Sequence, residues 1–551
     1  MKLTGSQIVM EVLLEQNVDT VFGYPGGTAL NVYDALYDYS DKIHHIITAH
    51  EQGAAHAADG FARSTGKTGV VFSTSGPGAT NLVTGIATAY MDSIPMVAIT
   101  CNVGDSFIGR DSFQEISITG VTLPITKHNY FVNRIDDLAD ALRNAFRIAN
   151  EGRKGPVLVD ITKDVTAATI EYEKQEPIPL APHPKFKQKD IETIARIINE
   201  SKRPVIYFGG GVEASDAREE LYELIQKADI PATYTMMAAG VIDCDDPKNL
   251  GLIGMHGTIA ANKAIDEADV VIALGTRFSD RVALNPRRFA QRAAIIHIDI
   301  DASEINKNVL INYSLIGDIK DVLQALLPLL KESKHEKWIE TVTAYQKSVR
   351  VPLEGKLRPK DLIEAACDLT DKDTIYVTDV GQHQMWAAQY VKHHNTRRFI
   401  TSGGLGTMGF GYGAAIGAQI GNPDKRVVHF TGDGSFHMNL NEGCTAVSYD
   451  LPIITIILDN KVLGMVYQWQ TVFYDKHYSQ TVLNRKTDYV KVAEGFGAKG
   501  FECNTLEEFK EAYKQALQCK GPVWIACNID KEERVLPMIP NGGTLEDMIV
   551  D

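Results

Sequence analysis

The sequence predicts an α/β protein of three domains, each with a mainly parallel sheet flanked by helices. Apolar runs typical of strands alternate with helix-like stretches along most of the 551 residues. A proline-rich stretch (173–189) and a charged stretch (331–360) interrupt this alternation. Because the resulting blocks have the size of single domains, we expect domains at 1–175, 190–340 and 358–551.

The first block supplies three strand candidates and two helix candidates. Alanine-rich, helix-like sequence follows His50-Glu51-Gln52, and a second helix-like stretch follows GPGATN (76–81). Strands joined by helices in this way form parallel sheets with right-handed crossovers. The strand candidates are KIHHIIT (42–48), TGVVFSTS (68–75) and IPMVAIT (94–100).

The other two blocks repeat this pattern. A helix of less regular apolar spacing is expected over 438–449, between the last two strand candidates. The candidates of the middle block are RPVIYFGGG (203–211), ADVVIALGTRF (268–278) and AAIIHIDID (293–301). Those of the third block are DTIYVTDVG (373–381), KRVVHF (425–430) and PIITIIL (452–458).

Polar side chains follow the last two of these strands. Asp433 lies in the turn GDGS (432–435), and Asn460 ends the apolar run. Parallel strands end at one edge of the sheet, and ligands of open α/β sheets bind there. An acid and an amide suit Mg²⁺, which completes its octahedron with water and phosphate oxygens. Two ordinary turns explain these residues equally well when they are taken alone, since Asp, Asn and Gly favour turns.

Composition excludes several classes of partner. The net charge of −15 argues against nucleic acid and anionic membranes, and no apolar run approaches the ~20 residues of a membrane span. The N-terminus has the pattern of a capped amphipathic helix and not of a signal peptide. None of the seven cysteines forms a CxxC pair, so we expect a reducing, cytoplasmic environment.

Short motifs narrow the chemistry further. GLGTMG (404–409) matches GxGxxG, but within the run GGLGTMGFGYG it also fits a close backbone approach to a ligand or between helices. The sequence has no GxxxxGK[ST], HExxH or GxSxG motif. P-loop NTPases, zinc proteases of the HExxH type and serine hydrolases with a nucleophile elbow are therefore disfavoured.

Four stretches together resemble the thiamine diphosphate enzymes. GDGS with Asn460 resembles their metal and diphosphate motif, and HEQGAA (50–55) resembles their activating-glutamate segment. FGYPGG (22–27) and TSGPGATN (74–81) also match. The resemblance implies their fold, with a pyrimidine-binding first domain, a central FAD-type domain and a diphosphate- and magnesium-binding third domain.

Within that superfamily the chain resembles the catalytic subunits of acetohydroxyacid synthases, from about residue 1 to 551. Three positions depart from the family pattern: Asp459 replaces an Asn, Ser279 replaces a frequent Asp, and Tyr467 stands where a basic residue is common. FQE is the pattern of the FAD-containing, biosynthetic type. The matching stretches are FQE (113–115), ITKDV (161–165), GMHGT (254–258), RFSDRV (277–282), DVGQHQMW (379–386), GMVYQWQ (464–470) and PMIPNGGTLEDM (537–548).

The resemblance implies an acetolactate synthase. Such an enzyme decarboxylates pyruvate on thiamine diphosphate and transfers the hydroxyethyl unit to pyruvate or 2-oxobutyrate, the first common step of branched-chain amino acid biosynthesis. A 2-oxo acid decarboxylase or a sulfoacetaldehyde acetyltransferase of the same fold is the first alternative. A non-catalytic FAD- or nucleotide-binding protein is the second, and retention of Glu51, Asp433 and Asn460 argues against it.

The resemblance also implies a catalytic set. Glu51 would hydrogen-bond the cofactor's pyrimidine, although a glutamate at a helix N-terminus is also favoured by the helix dipole alone. Met408 would hold the cofactor bent, and Trp469 would select the second substrate. The residues that would line the pocket of the second substrate are Gln114, Lys163 and Arg281.

The implied cofactors are thiamine diphosphate, Mg²⁺ and FAD. The implied metal ligands are Asp433, Asn460 and the carbonyl oxygen of Val462. The residues expected around thiamine diphosphate are Pro25, Gly76, Val380, Gly381, Gln382, His383, Gly406, Met408, Gly434, Ser435 and Met465. Those expected around FAD are Arg153, Gly254, Met255, His256, Gly257, Thr258, Arg277 and Asp299.

The implied partners are small 2-oxo acids. A homodimer or homotetramer with the active site at the subunit interface is expected, and a separate regulatory small subunit is possible. Nucleic acid and membranes are not expected as partners.

Overall fold

The structure is a computed structural model that describes residues 1–346 and 357–550. Three six-stranded parallel sheets, each flanked by helices, confirm the predicted fold class. Part of the predicted boundary at 331–360 lies outside the described residues. No helix within the described ranges is long and apolar enough to cross a membrane.

The first sheet has all its neighbouring strands parallel, and its order reverses between the second and fourth strands. The strands are β1 (Lys2–Thr4), β2 (Thr20–Gly23), β3 (His44–Ile47), β4 (Gly69–Thr74), β5 (Met96–Asn102), β6 (His128–Val132), β7 (Pro156–Thr162) and β8 (Thr169–Glu171). The helices are α1 (Gly5–Glu15), α2 (Leu30–Asp38), α3 (Glu51–Thr65), α4 (Pro77–Asn81), α5 (Val83–Asp92), α6 (Ile118–Thr122), α7 (Leu138–Asn150) and α8 (Lys163–Ala167). The sheet order is β3-β2-β4-β5-β7-β6, while β1 and β8 form a separate antiparallel pair.

The central sheet is also parallel throughout. Its strands are β9 (Pro204–Phe208), β10 (Ala232–Tyr234), β11 (Asn249–Leu252), β12 (Val270–Leu274), β13 (Ala294–Asp299) and β14 (Tyr313–Ile316). Its helices are α9 (Gln188–Glu200), α10 (Gly210–Ala214), α11 (Arg218–Lys227), α12 (Ile259–Glu267), α13 (Ile319–Leu326) and α14 (Glu336–Gln346). The order β11-β10-β9-β12-β13-β14 is the 3-2-1-4-5-6 arrangement of dinucleotide-binding sheets.

The third sheet repeats the strand order of the first. Its strands are β15 (Ile375–Thr378), β16 (Phe399–Ile400), β17 (Val427–Gly432), β18 (Ile454–Asp459), β19 (Lys499–Cys503) and β20 (Val523–Asn528). Its helices are α15 (Pro359–Asp368), α16 (Gln382–Tyr390), α17 (Phe410–Gly421), α18 (Asp433–Asn439), α19 (Gly443–Ser448), α20 (Gly464–Phe473), α21 (Tyr489–Phe496) and α22 (Leu506–Leu517). The order is β16-β15-β17-β18-β20-β19, so it reverses between β15 and β17.

The helix expected over 438–449 is broken. A 3₁₀ turn, Leu440–Glu442, separates α18 from α19. The break turns Glu442 toward the first block, where its carboxylate accepts a hydrogen bond from the Ala49 backbone N–H at 3.1 Å. A contact between domains thus overrides the local helix pattern.

Helices α3 and α17 join the first and third blocks. A Cβ on Gly417 would overlap the Ala57 carbonyl oxygen, and one on Gly60 would overlap the Ala414 carbonyl oxygen. The two backbones therefore touch, and one hydrophobic core continues across both blocks. This contact fixes the two ligand-binding edges relative to each other.

Candidate active site

A cleft opens where the third sheet reverses its strand order, at the carboxyl ends of β15 and β17. This is the position at which open α/β sheets bind ligands. All the described residues that line the cleft belong to the third block. The predicted residues among them are Val380, Gly381, Gln382, His383, Met408, Asp433, Gly434, Ser435, Asn460, Val462 and Met465.

His383 fits between two glycines at the back of this cleft. A Cβ on Gly381 would lie 2.7 Å from the ring's Cε1, and a Cβ on Gly432 would lie 2.7 Å from Nδ1. Burial lowers the pKa of His383 to about 4, so the ring is neutral at pH 7. Its buried Nε2 has no hydrogen-bond partner among the described residues, and such an atom beside a cleft suits a bound polar ligand.

Two buried carboxylates stand side by side at the cleft edge. Asp433 follows β17, and Asp459 is the last residue of the neighbouring strand β18. Burial, and then the charge of Asp459, raise the pKa of Asp433 to about 7. A divalent cation would offset both effects, so the residues present fit a metal site.

Asn460 connects this edge to α16 and α20. Its amide oxygen accepts a hydrogen bond from the Val462 backbone N–H at 3.2 Å, and its Nδ2 donates to Gln382 Oε1 at 3.1 Å. A Cβ on Gly464 would overlap that same Oε1, so α20 begins in close contact with Gln382. The amide is therefore held at the cleft before any ligand binds.

The glycine-rich loop before α17 is anchored to the first block. The Asp92 carboxylate accepts hydrogen bonds from the backbone N–H of Gly403 at 3.1 Å and of Gly404 at 2.7 Å. Gly406 has a φ of +71°, a conformation that favours glycine, and lies beside the Val380 side chain. Met408 follows and lines the cleft.

Helix α20 carries two predicted residues with different surroundings. Met465 lines the cleft. Trp469, one turn further along, packs instead against a small cluster that includes Met255 and the C-terminal Met538. Its ring centroid lies 5.3 Å from that of Phe473. Trp469 is not among the cleft residues.

Glu51 occupies the first position of α3 in the first block. Its side chain is buried, and its Oε2 accepts a hydrogen bond from Asn81 Nδ2 at 2.9 Å. A Cβ on Gly78 would lie 3.0 Å from Oε1. His50 caps the helix by accepting a hydrogen bond from the Gln52 backbone N–H. The carboxylate is thus positioned by its side chain partners, and the helix end has a separate cap.

The residues of the first block that are predicted for thiamine diphosphate or the second substrate lie at the same sheet edge. Gly76 has a φ of +57°, and a Cβ on it would lie 2.8 Å from the Gln114 carbonyl oxygen. Lys163 begins α8 and donates a hydrogen bond to the Gly27 carbonyl oxygen at 3.3 Å. Pro25 belongs to the same turn after β2. These contacts place them near the turns after β2 and β4, between which the strand order reverses.

The central sheet has a third crevice, between β9 and β12. Backbones meet there, since a Cβ on Gly211 would lie 2.6 Å from the Gly275 Cα. Arg277 follows β12, and Asp299 ends β13. The residues of the turn after β11 are Gly254, Met255, His256, Gly257 and Thr258. All the predicted FAD residues of this block therefore share one sheet edge.

Arg153 and Arg277 join the first block to the central one. Arg153 NH1 forms an ion pair with Glu304 at 2.7 Å and with Asp301 at 3.2 Å. Arg277 donates a hydrogen bond to the Met91 carbonyl oxygen at 2.7 Å. Both arginines therefore stabilise the position of the central domain.

The structure does not bring Arg281 to the other predicted residues of the second-substrate pocket. Its side chain is 61% exposed, and its ion-pair partner is Asp280 at 3.9 Å. Among the described residues, no hydrogen bond or ion pair joins Arg281 to Gln114 or Lys163. Within residues 1–346 and 357–550, these three side chains therefore do not form one pocket.

Some cleft residues were not predicted from the sequence. Two of them are glycines in close contact with predicted residues: a Cβ on Gly432 would displace His383, and one on Gly464 would displace Gln382. Strand-end glycines carry a recognisable turn signal, but the side chain that each one accommodates comes from a distant segment. The unpredicted lining residues are Trp386, Gly432, Leu458, Leu463, Gly464 and Val466.

Comparison with known sequences identifies relatives along the whole chain. Three thiamine pyrophosphate enzyme models match: the N-terminal TPP binding domain at 3–121, the central domain at 191–326 and the C-terminal TPP binding domain at 379–527. A probable acetolactate synthase large subunit of Methanocaldococcus jannaschii is 46% identical, over 99% of this chain and 95% of that protein. The acetolactate synthase isozyme 1 large subunit of Escherichia coli is 42% identical, over 100% of this chain and 98% of that protein. An acetolactate synthase of Mycobacterium leprae is 43% identical, over 99% of this chain and 90% of that protein.

Proposed function

Because the chain belongs to the acetolactate synthase large subunits of the thiamine diphosphate enzymes, we infer that it decarboxylates pyruvate and transfers the hydroxyethyl unit to a second 2-oxo acid. The acceptor is pyruvate or 2-oxobutyrate, and the reaction is the first common step of branched-chain amino acid biosynthesis. The cleft at the β15–β17 reversal carries this proposal, since it gathers the acid, amide and glycine backbone that a metal-bound diphosphate needs.

Thiamine diphosphate, when bound, would supply a thiazolium carbon that is nucleophilic once deprotonated and a ring that delocalises the electron pair left by loss of CO₂. Glu51 would offer a buried carboxylate to the pyrimidine ring, with Asn81 fixing its orientation. The Gly406 carbonyl oxygen would accept a hydrogen bond from the pyrimidine amino group. Met408 would support the cofactor from the cleft wall, and its place in the cleft supports this role.

Magnesium would be bound by the Asp433 carboxylate, the Asn460 amide oxygen and the Val462 carbonyl oxygen. The adjacent buried acids Asp433 and Asp459 support this assignment, because a cation would relieve their repulsion. Gly434 and Ser435 would bring backbone N–H groups to the diphosphate, and His383 would add its unpartnered Nε2.

FAD would be bound by the central domain, where the 3-2-1-4-5-6 strand order and the close glycine backbones at β9 and β12 support a dinucleotide. The turn Gly254–Thr258 together with Arg277, Asp299 and Arg153 would hold it. We assign FAD a structural role, because the overall reaction neither gains nor loses electrons.

The pocket for the second substrate would combine a cation, Arg281, with Gln114 and Lys163. A guanidinium suits the carboxylate of a 2-oxo acid because it offers two parallel donors. The exposed position of Arg281 supports a pocket that is completed by another subunit.

A homodimer or homotetramer with the site at the subunit interface accounts for this incomplete pocket. All residues described as lining the cleft come from the third block, while Glu51 lies in the first. The relatives named as large subunits support a separate regulatory small subunit as a further partner. A cytoplasmic location is proposed from the spacing of the cysteines.

Product analysis tests this function. The purified chain receives pyruvate, thiamine diphosphate, Mg²⁺ and either FAD or redox-inactive 5-deaza-FAD. We expect acetolactate with both flavins, and aceto-2-hydroxybutyrate when 2-oxobutyrate is added. Acetaldehyde as the main product would identify the decarboxylase alternative instead. Activity with FAD but none with 5-deaza-FAD would contradict the structural role of the flavin.

A further inference from the structure

A mixed group of metal-binding side chains lies between the central and third blocks, outside the proposed active site. Asp243, Cys244 and Asp245 lie in the loop before β11, and His394 follows α16. One ligand atom of each side chain lies within 4.8 Å of those of the other three. His394 is buried, and Asp243 and Cys244 are half-buried. We refer to these four residues as the seam cluster.

The distances from His394 Nδ1 to the other three side chains are close to those of a tetrahedral metal site. His394 Nδ1 lies 2.9 Å from Asp243 Oδ1, 3.6 Å from Cys244 Sγ and 3.8 Å from Asp245 Oδ2. Tetrahedral Zn²⁺ with ordinary bond lengths to sulfur, nitrogen and oxygen places its ligand atoms about 3.3–3.6 Å apart. The three distances from His394 Nδ1 differ from that range by up to about 0.4 Å, Cys244 Sγ lies 3.9 Å from Asp245 Oδ1, and the remaining pairs lie within 4.8 Å.

Backbone contacts hold both halves of the seam cluster in place. The Cys244 backbone N–H donates to the His393 carbonyl oxygen at 2.8 Å, across the boundary between the two blocks. Arg218 donates to the His394 carbonyl oxygen at 3.0 Å, and the Asp243 backbone N–H donates to Tyr222 Oη at 2.6 Å. The side chains thus converge without a large rearrangement of either loop.

Two carboxylates in the seam cluster could balance the charge of a bound cation. Their basic neighbours are Lys372, 3.1 Å from Asp245, and Arg218, whose guanidinium binds the His394 carbonyl oxygen. Without metal, His394 Nδ1 donates its proton to the Asp243 carboxylate, which can only accept. Metal binding would need the other imidazole tautomer and the release of the thiol proton of Cys244 to solvent.

We propose that Asp243, Cys244, Asp245 and His394 bind one Zn²⁺ ion, which clamps the central domain to the third domain. Zinc binds cysteine sulfur, histidine nitrogen and carboxylate oxygen, and four protein ligands close a tetrahedral site. A second group, His183 with Asp318 and Asp321, is a weaker candidate. It has no thiol, two of its members are exposed, and Asp318 already caps α13.

Cobalt substitution tests the proposal on the full-length holoenzyme. Co²⁺ is titrated in the presence of saturating Mg²⁺, so that any site of the catalytic metal is already filled. We expect a thiolate-to-cobalt charge-transfer band that saturates near one ion per chain and disappears when Zn²⁺ is added. The proposed catalytic metal ligands include no cysteine, so this band reports on the seam cluster.

Three variants separate the outcomes. Cys244→Ser should lose the band, and Asp245→Asn, at an exposed position, should weaken Co²⁺ binding at least about tenfold. Cys444→Ser, which changes an exposed cysteine elsewhere, should keep the wild-type titration. All three should retain acetolactate synthesis. The absence of the band in the wild type, its persistence in Cys244→Ser, or an unchanged Co²⁺ affinity in Asp245→Asn would overturn the proposal.

Discussion

Glu51 shows how a single residue can be read in two ways. At the first position of a helix, a glutamate is favoured by the helix dipole alone. In the structure its carboxylate is buried and bonded to Asn81, while His50 performs the capping. A separate cap leaves the carboxylate available for a ligand, which supports the proposed pyrimidine contact.

Replacing Glu51 with Gln keeps the shape and removes the charge. We expect turnover to fall by about 10²–10⁴, the range of general acid–base effects, with the fold unchanged. The measurement is proton–deuterium exchange at C2 of the bound cofactor, followed by NMR. Glu336→Gln, at the first position of α14, is the matched control. Equal exchange in wild type and Glu51→Gln would refute the role.

Trp469 was predicted to select the second substrate, but in the structure it is not among the cleft residues, whereas Met465, one turn earlier in α20, is. Trp469 packs on the cluster that contains Met255, so it still borders the proposed FAD turn. 2-Oxobutyrate has one more CH₂ than pyruvate, and burying a CH₂ contributes about 0.8 kcal/mol, which is a preference of about fourfold. A side chain shaped to fit the ethyl group can raise this preference to about 10–200-fold. Trp469→Leu should therefore lower the preference for 2-oxobutyrate toward fourfold.

The assay is a competition between pyruvate and 2-oxobutyrate, with product ratios as the readout. Phe473→Leu, one turn further along α20 and more exposed, is the control and should keep the wild-type ratio. If Trp469→Leu gives the wild-type ratio as well, Trp469 serves packing alone.

Asp160 is a buried acid whose titration should affect stability. Burial raises its pKa from 3.8 to about 6, although Thr100 and Asn102 donate hydrogen bonds to it. The folded state then holds more protons than the unfolded state between pH 4 and 6. The contribution of the protonated Asp160 carboxyl to the free energy of unfolding is therefore fully present below about pH 4 and is lost as pH rises through about 6.

Asp160→Asn removes this titration. The free energy of unfolding of Asp160→Asn, relative to that of the wild type, should increase by about 1–3 kcal/mol from pH 4 to pH 7. The thermal midpoint of the variant should therefore gain on that of the wild type over this range. Thermal unfolding at both pH values measures the difference. The surface variant Asp136→Asn should show no comparable trend, and a pH-independent difference for Asp160→Asn would show that the carboxyl does not titrate in this window.

At the level of elements, strands were predicted better than helices near domain contacts. PIITIIL (452–458) corresponds to β18, because a continuous apolar run needs no tertiary information to be recognised. Asp433 and Asn460 could be assigned for the same reason, as residues that follow strands. The helix over 438–449 was wrong in part, since Glu442 turns toward Ala49 in another domain.

The contact of α3 with α17 is sensitive to one methyl group. Gly417→Ala would force its Cβ into the Ala57 carbonyl oxygen, so we expect a loss of about 1–3 kcal/mol. Gly495→Ala, in a helix with open space around the site, should instead stabilise by about 0.4–1 kcal/mol. Thermal unfolding of both variants is the measurement. A neutral Gly417→Ala would mean that α17 can move away from α3 at little cost.

At the scale of the whole molecule, the sequence indicates three sheets but not how they face one another. The first and third sheets share a strand order, and each carries part of the expected site at its reversal point. Strand patterns contain no information on packing between domains, which depends on contacts such as those of Arg153 and Arg277. For that reason neither the seam cluster nor the separation of Glu51 from the cleft lining could be predicted.

A mixing experiment tests whether the site forms between subunits. Glu51→Gln damages the half from the first block, and Asp433→Ala damages the half from the third. In a mixed dimer with shared sites, one site carries both defects and the other carries neither. Mixed dimers form half of a random population, so about a quarter of wild-type activity should return after dissociation and reassociation.

If each chain instead builds its site alone, every site keeps one defect. Mixing would then restore no activity, and reassociated Glu51→Gln alone, the control, would be indistinguishable from the mixture.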